Sequence, residues 1–348
     1  MKQLFKLQAL AFICFCIISC KNKKVAVLES IIKTNVYEDG NNSNDSSVSP
    51  QWKNYQEFVK LFSETELIRH CESKNQIVRT YAFRRLVEKR NSEVYKILIT
   101  HLSDTSSFTR YSGCIISEES VSDVYLNLVG YDRLSYITNG LLDWKDFYLT
   151  KTQYDFIDSV LLFRNEIKER SQYGDLKYST RKSLLYRLKP IPKLHNRIAQ
   201  LAAEGVYEVL PLLAQYKNSS DTSLLKRMLL SNENSVGKSI PSGYTLKACA
   251  RTAVTYFSHP CFYPILKQQV LEDIESNTNP EPSEISPLYF AIVQYPTIET
   301  REILKKALKK LDVGHYRRSG FIYKAVQEHP SKQFDGLVKD VLNTNGNL

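Results

Sequence analysis

From Trp52 onward, apolar residues return every three or four positions. In "REILKKALKKL", residues 301–311, Ile303, Leu304, Ala307, Leu308 and Leu311 fall on one side of a helix. Lys305, Lys306, Lys309 and Lys310 fall on the other. This is a 3.6-residue period, with one stripe to bury and a solvated back. "YDFIDSVLLFRNEIKER", residues 154–170, arranges Phe156, Ile157, Val160, Leu161 and Ile167 the same way. Convincing period-two alternation is absent, and "CIISEESVSDVYLNLV", residues 114–129, has the most ambiguous pattern. The expected fold class is all-α.

The helical stretches recur as pairs. Residues 78–102, 206–229, 248–271, 286–308 and 319–342 each hold a first helix with a small residue, a turn, and a second helix. The small residues are Ala82, Ala214, Ala253, Ala291 and Ala325, and each lets two helices approach closely. The second helices carry apolar pairs four apart: Leu98/Leu102, Leu225/Leu229, Leu266/Val270, Leu304/Leu308 and Val338/Leu342. Pro260, Pro296 and Pro330 stop the first helix, because the residue before proline avoids the helical region, and proline suits the first turn of the next. One hairpin cannot cover its own apolar face, so neighbours must stack.

"SKNQIVRTYAFRRLVEK", residues 73–89, with its polar turn, Val78-Arg79, Ala82 and Leu86, resembles a HEAT-type repeat. The resemblance is loose and covers about half the chain. It implies an α-solenoid, a HEAT-like superhelix of stacked helical hairpins over residues 51–348. The units lie near 65–102, 200–230, 246–272, 285–311 and 319–343, with irregular or degenerate repeats over 103–199.

The N-terminus adds a location. Lys2 and Lys6 precede the apolar run "LQALAFICFCIIS", residues 7–19, which is too short for a comfortable membrane span. It ends in Ile17, Ser19 and Cys20, and "IISC" resembles the lipobox of bacterial lipoproteins. That resemblance implies a signal peptide over 1–19, cleavage before Cys20, and acyl chains on the Cys20 thiol and amine. Several chains together hold a protein on a bilayer durably, which one alone does not. Residues 20–50 then read as lipidated cysteine and flexible linker. Residues 25–36 are mildly amphipathic, and "DGNNSNDSSVSP", residues 39–50, is a polar spacer reaching about 20 Å. Such a spacer holds the folded part off the membrane without fixing its orientation. The basic start after Cys20 lacks the acidic cluster seen in some exported surface lipoproteins, so the resemblance implies the periplasmic face of the outer membrane.

The formal charge of +10 points to anionic partners or surfaces. Residues 176–203 concentrate it: Lys177, Arg181, Lys182, Arg187, Lys189, Lys193 and Arg197 stand without an acid until residue 204, among Tyr178, Tyr186 and His195. Basic residues interleaved with aromatics suit nucleic acid, but outside the cytoplasm an acidic protein or anionic headgroups fit better, and no nucleic-acid partner is expected.

Candidate chemistry is sparse. "STRK" places Ser179 and Lys182 at the S-x-x-K spacing of penicillin-binding proteins, yet no K-T-G accompanies it. "NSVGKS", residues 234–239, is similar to the end of a P-loop, but Asn232 stands where its first glycine belongs. Cys249, His259 and Cys261, or His70 and Cys71, form no metal-ligand spacing. No metal and no cofactor is expected. The carboxylate pair Glu118/Glu119 reads as a solvated turn or helix start. Cys249–Cys261 and Cys71–Cys114 are the disulfides to weigh against buried thiols. The expected function is that of a membrane-anchored, non-catalytic protein-binding or scaffold lipoprotein. A cell-envelope serine hydrolase of the S-x-x-K type is the alternative.

Overall fold

Short polar side chains mark where helices begin in this chain. Ser49, Ser63, Asn75, Ser120 and Thr245 each accept a hydrogen bond from a main-chain amide of the first turn that follows. Such caps satisfy amides that have no partner inside the helix. At Ser63 the exchange is reciprocal, with Glu66 reaching back to the Ser63 amide at 2.9 Å.

The structure is a computed structural model that describes residues 22–40, 48–113, 115–134, 137, 141–164, 184–185, 187–231, 245–276, 282–310 and 316–337. Among the described residues the protein is mainly α-helical, with one small sheet. Where one domain over 51–348 was expected, the chain divides into two units: Met1–Leu161 with Ser179–Arg181, and Leu162–Tyr178 with Lys182–Leu348. Among the described residues, no helix is long and apolar enough to cross a membrane.

The first unit is built around one helix. Its elements are α1 (residues 22–34), β1 (Val36–Glu38), α2 (Pro50–Leu61), α3 (Glu64–His70), α4 (Gln76–Glu88), α5 (Val94–His101), β2 (Ser107–Ser112), β3 (Ile115–Ser120) and α6 (Val121–Leu128). Helix α4 is covered by α2, α3, α5, α6, β1 and β2. Ile77, Val78, Tyr81, Ala82, Phe83 and Leu86 are accordingly buried. Phe83 stacks on Tyr125 of α6 with ring centroids 3.8 Å apart, and the Tyr125 hydroxyl donates to the Arg79 carbonyl at 3.0 Å.

Two expectations are corrected in this unit. Residues 107–120, assigned to irregular or degenerate helical repeats, form a β-hairpin, with β1 parallel to β2 and β2 antiparallel to β3. Gly113 takes a left-handed φ of 59° between β2 and β3. Glu118 and Glu119 therefore lie on a strand, not on a turn or helix start. The pattern concealed the strand because Arg110 shares a face with the buried Phe108 and Tyr37. Its charge is held by Asp39 at 2.7 Å and Glu119 at 3.8 Å.

The second correction concerns the linker. Residues 22–40 are ordered parts of the first unit: Ile31 and Tyr37 are buried, and β1 is a strand of the sheet. The Ser49 hydroxyl donates to Glu38 and the Gln51 amide to the Val36 carbonyl at 2.6 Å, so the polar stretch starts and ends within this unit. Residues 41–47 lie outside the described residues.

The last residues of helix α7 (Lys151–Phe163) begin the second unit, at Leu162. That unit continues with α8 (His195–Ala203), α9 (Leu210–Gln215), α10 (Thr222–Leu230), α11 (Leu246–Tyr256), α12 (Tyr263–Glu275), α13 (Pro282–Ile292), α14 (Ile298–Lys310) and α15 (Tyr316–Glu328). The first helices of successive hairpins touch in order: α9 on α11, α11 on α13, α13 on α15. The second helices touch too, α12 on α14, and α10, α12 and α14 each pack on the first helix of the next hairpin. Ala214, Ala253, Ala291 and Ala325 are all at most 1% exposed. Leu225, Leu229, Leu266, Val270, Leu304 and Leu308 are buried, and Val338 and Leu342 lie outside the described residues. Pro296 and Pro330 stand in loops, and Pro260 begins the short turn that leads into α12.

Polar side chains stitch the neighbours together. Arg251 of α11 donates to Gln269 of α12 at 3.0 Å and to the Glu284 carbonyl of α13 at 2.8 Å. Gln269 donates to the Leu229 carbonyl at the end of α10, and Tyr289 of α13 to Asp273 of α12 at 2.7 Å. Arg301 of α14 donates to the carbonyls of Gln333 and Asp335 at 2.6 and 2.8 Å.

Close approach at the alanines makes a prediction. Ala291→Leu puts extra methylenes into a filled contact and should destabilise the protein by about 1–3 kcal/mol. Leu266→Ala should cost about 2–5 kcal/mol through the cavity it leaves. Urea unfolding of both variants checks this, and an unchanged midpoint for Ala291→Leu would contradict the close packing of α13.

Candidate functional site

Only some of the sequence-derived site residues fall among the described ones. Cys20, Lys177, Arg181, Lys182, Ser179 and residues 234–239 lie outside the described residues. Of the rest of the basic stretch, Lys189 and Lys193 are exposed and Arg187 is half-buried. Arg197, expected to face an anionic partner, is instead only 9% exposed. It donates to the Leu162 carbonyl at 3.0 Å and the Arg164 carbonyl at 3.4 Å, and its guanidinium stands 5.9 Å from the Phe163 ring centroid. The last carbonyls of a helix have no partner within it, and a cation there also meets the negative end of the helix dipole. Arg197 therefore ties α8 to the C-terminal end of α7.

Another basic pair was not singled out from the sequence. On α10 and its C-cap, Ser223, Lys226, Arg227, Leu230 and Ser231 line an open depression. Lys226 and Arg227 are exposed, and Leu230 keeps 56% of its surface in solvent. Helix α10, "TSLLKRMLL", carries no acid. Its exposed side thus joins two cations to an apolar contact, which suits a partner combining acidic and apolar groups. Nearby in the same unit, His195 and Asp221 pair at 2.8 Å and hold the start of α8 to the turn before α10.

The most heavily interacting polar groups sit in the first unit. Arg79 grips Asp104 in a two-pronged pair at 2.7 and 3.0 Å and also donates to the carbonyls of Ser73 and Lys74, both at 3.2 Å. His101 stands between Glu72 at 3.2 Å and Asp104 at 3.6 Å. Hydrogen bonding to Asp104 raises the His101 pKa above its usual value, against its burial. Burial alone would raise the Asp104 carboxyl, but His101, Arg79 and the Ser106 amide outweigh it and hold it well below the usual range. A second cluster joins α2 to α4. The Arg84 guanidinium lies 4.9 Å from the Trp52 ring centroid and 4.8 Å from that of Tyr55, and bonds Glu88 at 2.9 Å. The Tyr55 hydroxyl donates to the same carboxylate at 2.6 Å.

Both clusters join elements of the fold. Cys71, beside the first, is fully buried, and burial pushes its thiol up to about 12, so it stays protonated. Arg79, Asp104, His101 and Glu72 bind the α3–α4 turn to the end of α5 and to the chain entering β2. Among the described residues, no group of three or more histidine, cysteine or acidic side chains could hold a metal ion. Cys71, Cys249 and Cys261 are thiols, so the Cys249–Cys261 disulfide is not formed; Cys114 lies outside the described residues. Arg84/Glu88 was legible as an i,i+4 pair, whereas Arg79 and Asp104, with no periodic relation, meet only through the tertiary fold.

The chain matches no family model, no curated protein and no solved structure.

Two predictions follow from the geometry. A raised histidine pKa contributes stability that is present below the ordinary value of about 6.5 and is lost as pH rises through the folded value. The melting temperature of His101→Gln should therefore fall furthest below that of the wild type near pH 6 and converge with it above about pH 8. A constant difference across that range would exclude His101 as the titrating group. Peptide mapping after alkylation of the native protein should find Cys261 modified, and Cys71 and Cys249 modified only after unfolding.

Proposed function

We propose that the protein is a lipid-anchored, non-catalytic binding or scaffold protein of a bacterial envelope, and that the hairpins of its second unit form a HEAT-like α-solenoid. The observation that carries this reading is the order of helix contacts: first helix on first helix along α9, α11, α13 and α15, with α12 on α14 beside them. Each hairpin leans on the next, the arrangement that produces an extended recognition surface in repeat proteins. The exposed cations Lys189, Lys193, Lys226 and Arg227 support an acidic partner. The lipobox-like "IISC" and the apolar run before it support attachment through Cys20, at the outer membrane and facing the periplasm.

Both halves of the proposal can be tested in cells making the full chain. Incorporation of a labelled fatty acid should occur and be abolished by Cys20→Ala. A photo-crosslinking amino acid at Leu230 should yield discrete adducts with another envelope protein, reduced about tenfold by Lys226→Glu with Arg227→Glu. Adducts that persist undiminished after the reversal would overturn the acidic-partner reading. A Cys20→Ala protein that still takes up fatty acid would overturn the anchor.

A further inference from the structure

Strand β3 is an edge of the sheet. Among the described residues the order is β1, β2, β3, so β3 has a paired neighbour on one side only. Two main-chain contacts fix the phase of its hydrogen bonds. The Val121 amide donates to the Ser106 carbonyl at 3.1 Å, in the same register that pairs Ser120 with Ser107. Hydrogen-bonded pairs alternate along an antiparallel ladder. Glu119, Ser117 and Ile115 therefore turn their amides and carbonyls to β2, and Ile116 and Glu118 turn theirs outward. The other contact agrees: the carbonyl of Tyr111, which stands opposite Ile116, faces β1 and accepts from the Asp39 amide at 3.5 Å. Among the described residues, no strand or side chain bonds the outward groups of Ile116 and Glu118.

The side chains along this edge point to its occupant. Ile115 and Ile116 each keep 64% of their surface exposed. Neighbours in a strand point to opposite faces, so neither face is covered here. A partner lying on one face would shelter one isoleucine, whereas a strand added at the edge places side chains beside both. Glu118, on the same face as Ile116, is exposed as well. Glu119 lies on the other face, where Arg110 stands at 3.8 Å. Strands β1 to β3 carry Glu38, Glu118 and Glu119 against Arg110, in a chain whose formal charge is +10. The sheet is thus an acidic region of a basic protein. Open edges are ordinarily blunted by a proline, a bulge or a covering element. Strand β3 has no proline and an unbroken register with β2. The Glu118 charge turns away acidic strands and favours basic ones.

We propose that β3 takes up an extended basic segment of another protein as a fourth strand, antiparallel to it, with a lysine or arginine opposite Glu118 and an aliphatic residue opposite Ile116. The outward main-chain groups supply affinity and the alternating side chains supply selectivity, as in other cases of strand addition. A second copy of this chain fits less well. Pairing β3 with itself about Ser117 sets Ile116 against Glu118, and pairing about Glu118 sets two carboxylates together. Pairing about Ile116 overlaps only half of the strand. The proposal depends neither on lipidation nor on the cations of α10.

The probe is a fluorescein-labelled hexapeptide amide, Thr-Lys-Lys-Thr-Val-Val, whose third residue stands opposite Glu118 and whose fifth stands opposite Ile116 in the proposed pairing. Fluorescence polarisation with the full chain reads its binding. Exchanging both lysines of the peptide for glutamate should abolish binding, and Glu118→Lys in the protein should weaken it about fivefold or more. Ile116→Pro removes an outward amide without breaking a ladder bond and should weaken binding similarly. Methylated peptides tell strand pairing from a contact of charge alone. Methyl groups on the amides of the third and fifth residues, which face β3, should weaken binding about tenfold or more, and on those of the second and fourth should change it little. Absence of binding, or equal sensitivity to the two methylation patterns, overturns the proposal with the protein itself unaltered. A dimer of the protein alone in sedimentation, lost on Ile116→Pro, assigns the edge to a second copy and overturns it as well.

Discussion

A single helical hairpin exposes one apolar stripe that it cannot cover, and the second unit is organised by that constraint. Each first helix must lie against the next, and backbones approach closely only where the side chain at the crossing is small. Ala214, Ala253, Ala291 and Ala325 occupy these helices and are excluded from solvent. Close packing of this kind leaves no room for an added methylene group. The apolar pairs of the second helices, such as Leu266/Val270 and Leu304/Leu308, close the other side of the same core.

Apolar stripes are permissive about which hairpin meets which, and the buried polar side chains are not. Arg251 reaches Gln269 and the Glu284 carbonyl, Gln269 reaches the Leu229 carbonyl, and Tyr289 reaches Asp273. Each bond is satisfied in one relative placement of the helices. A slipped packing would strand the same groups away from water, at a cost larger than the bond itself contributes. The Arg79–Asp104 pair acts similarly in the first unit, joining a turn, a helix end and the chain entering the sheet.

The two units use their polar residues differently at the surface. In the first, the Arg79–Asp104 and Arg84–Glu88 clusters join elements of the fold. In the second, cations such as Lys226 and Arg227 remain in solvent while Arg197 is withdrawn to close a helix end. A reading by charge alone groups these arginines and lysines together; their partners separate them.

Helical periodicity, proline stops and the recurring alanines are local properties, and they made the mainly helical class legible from the sequence. The lipobox-like motif is equally local. What the tertiary structure decided was every feature that depends on residues distant in the chain. The β-hairpin was concealed because Arg110 sits on its buried face beside Phe108, neutralised by Asp39, which lies far back along the chain. The polar stretch near residue 45 has the composition of a spacer, but β1 before it pairs with β2, and the Ser49–Glu38 bond closes it. Arg197 is indistinguishable in sequence from its exposed neighbours until the end of α7 arrives beside it. Local sequence sets which element forms; the cost of leaving a buried charge or amide without a partner sets where it goes.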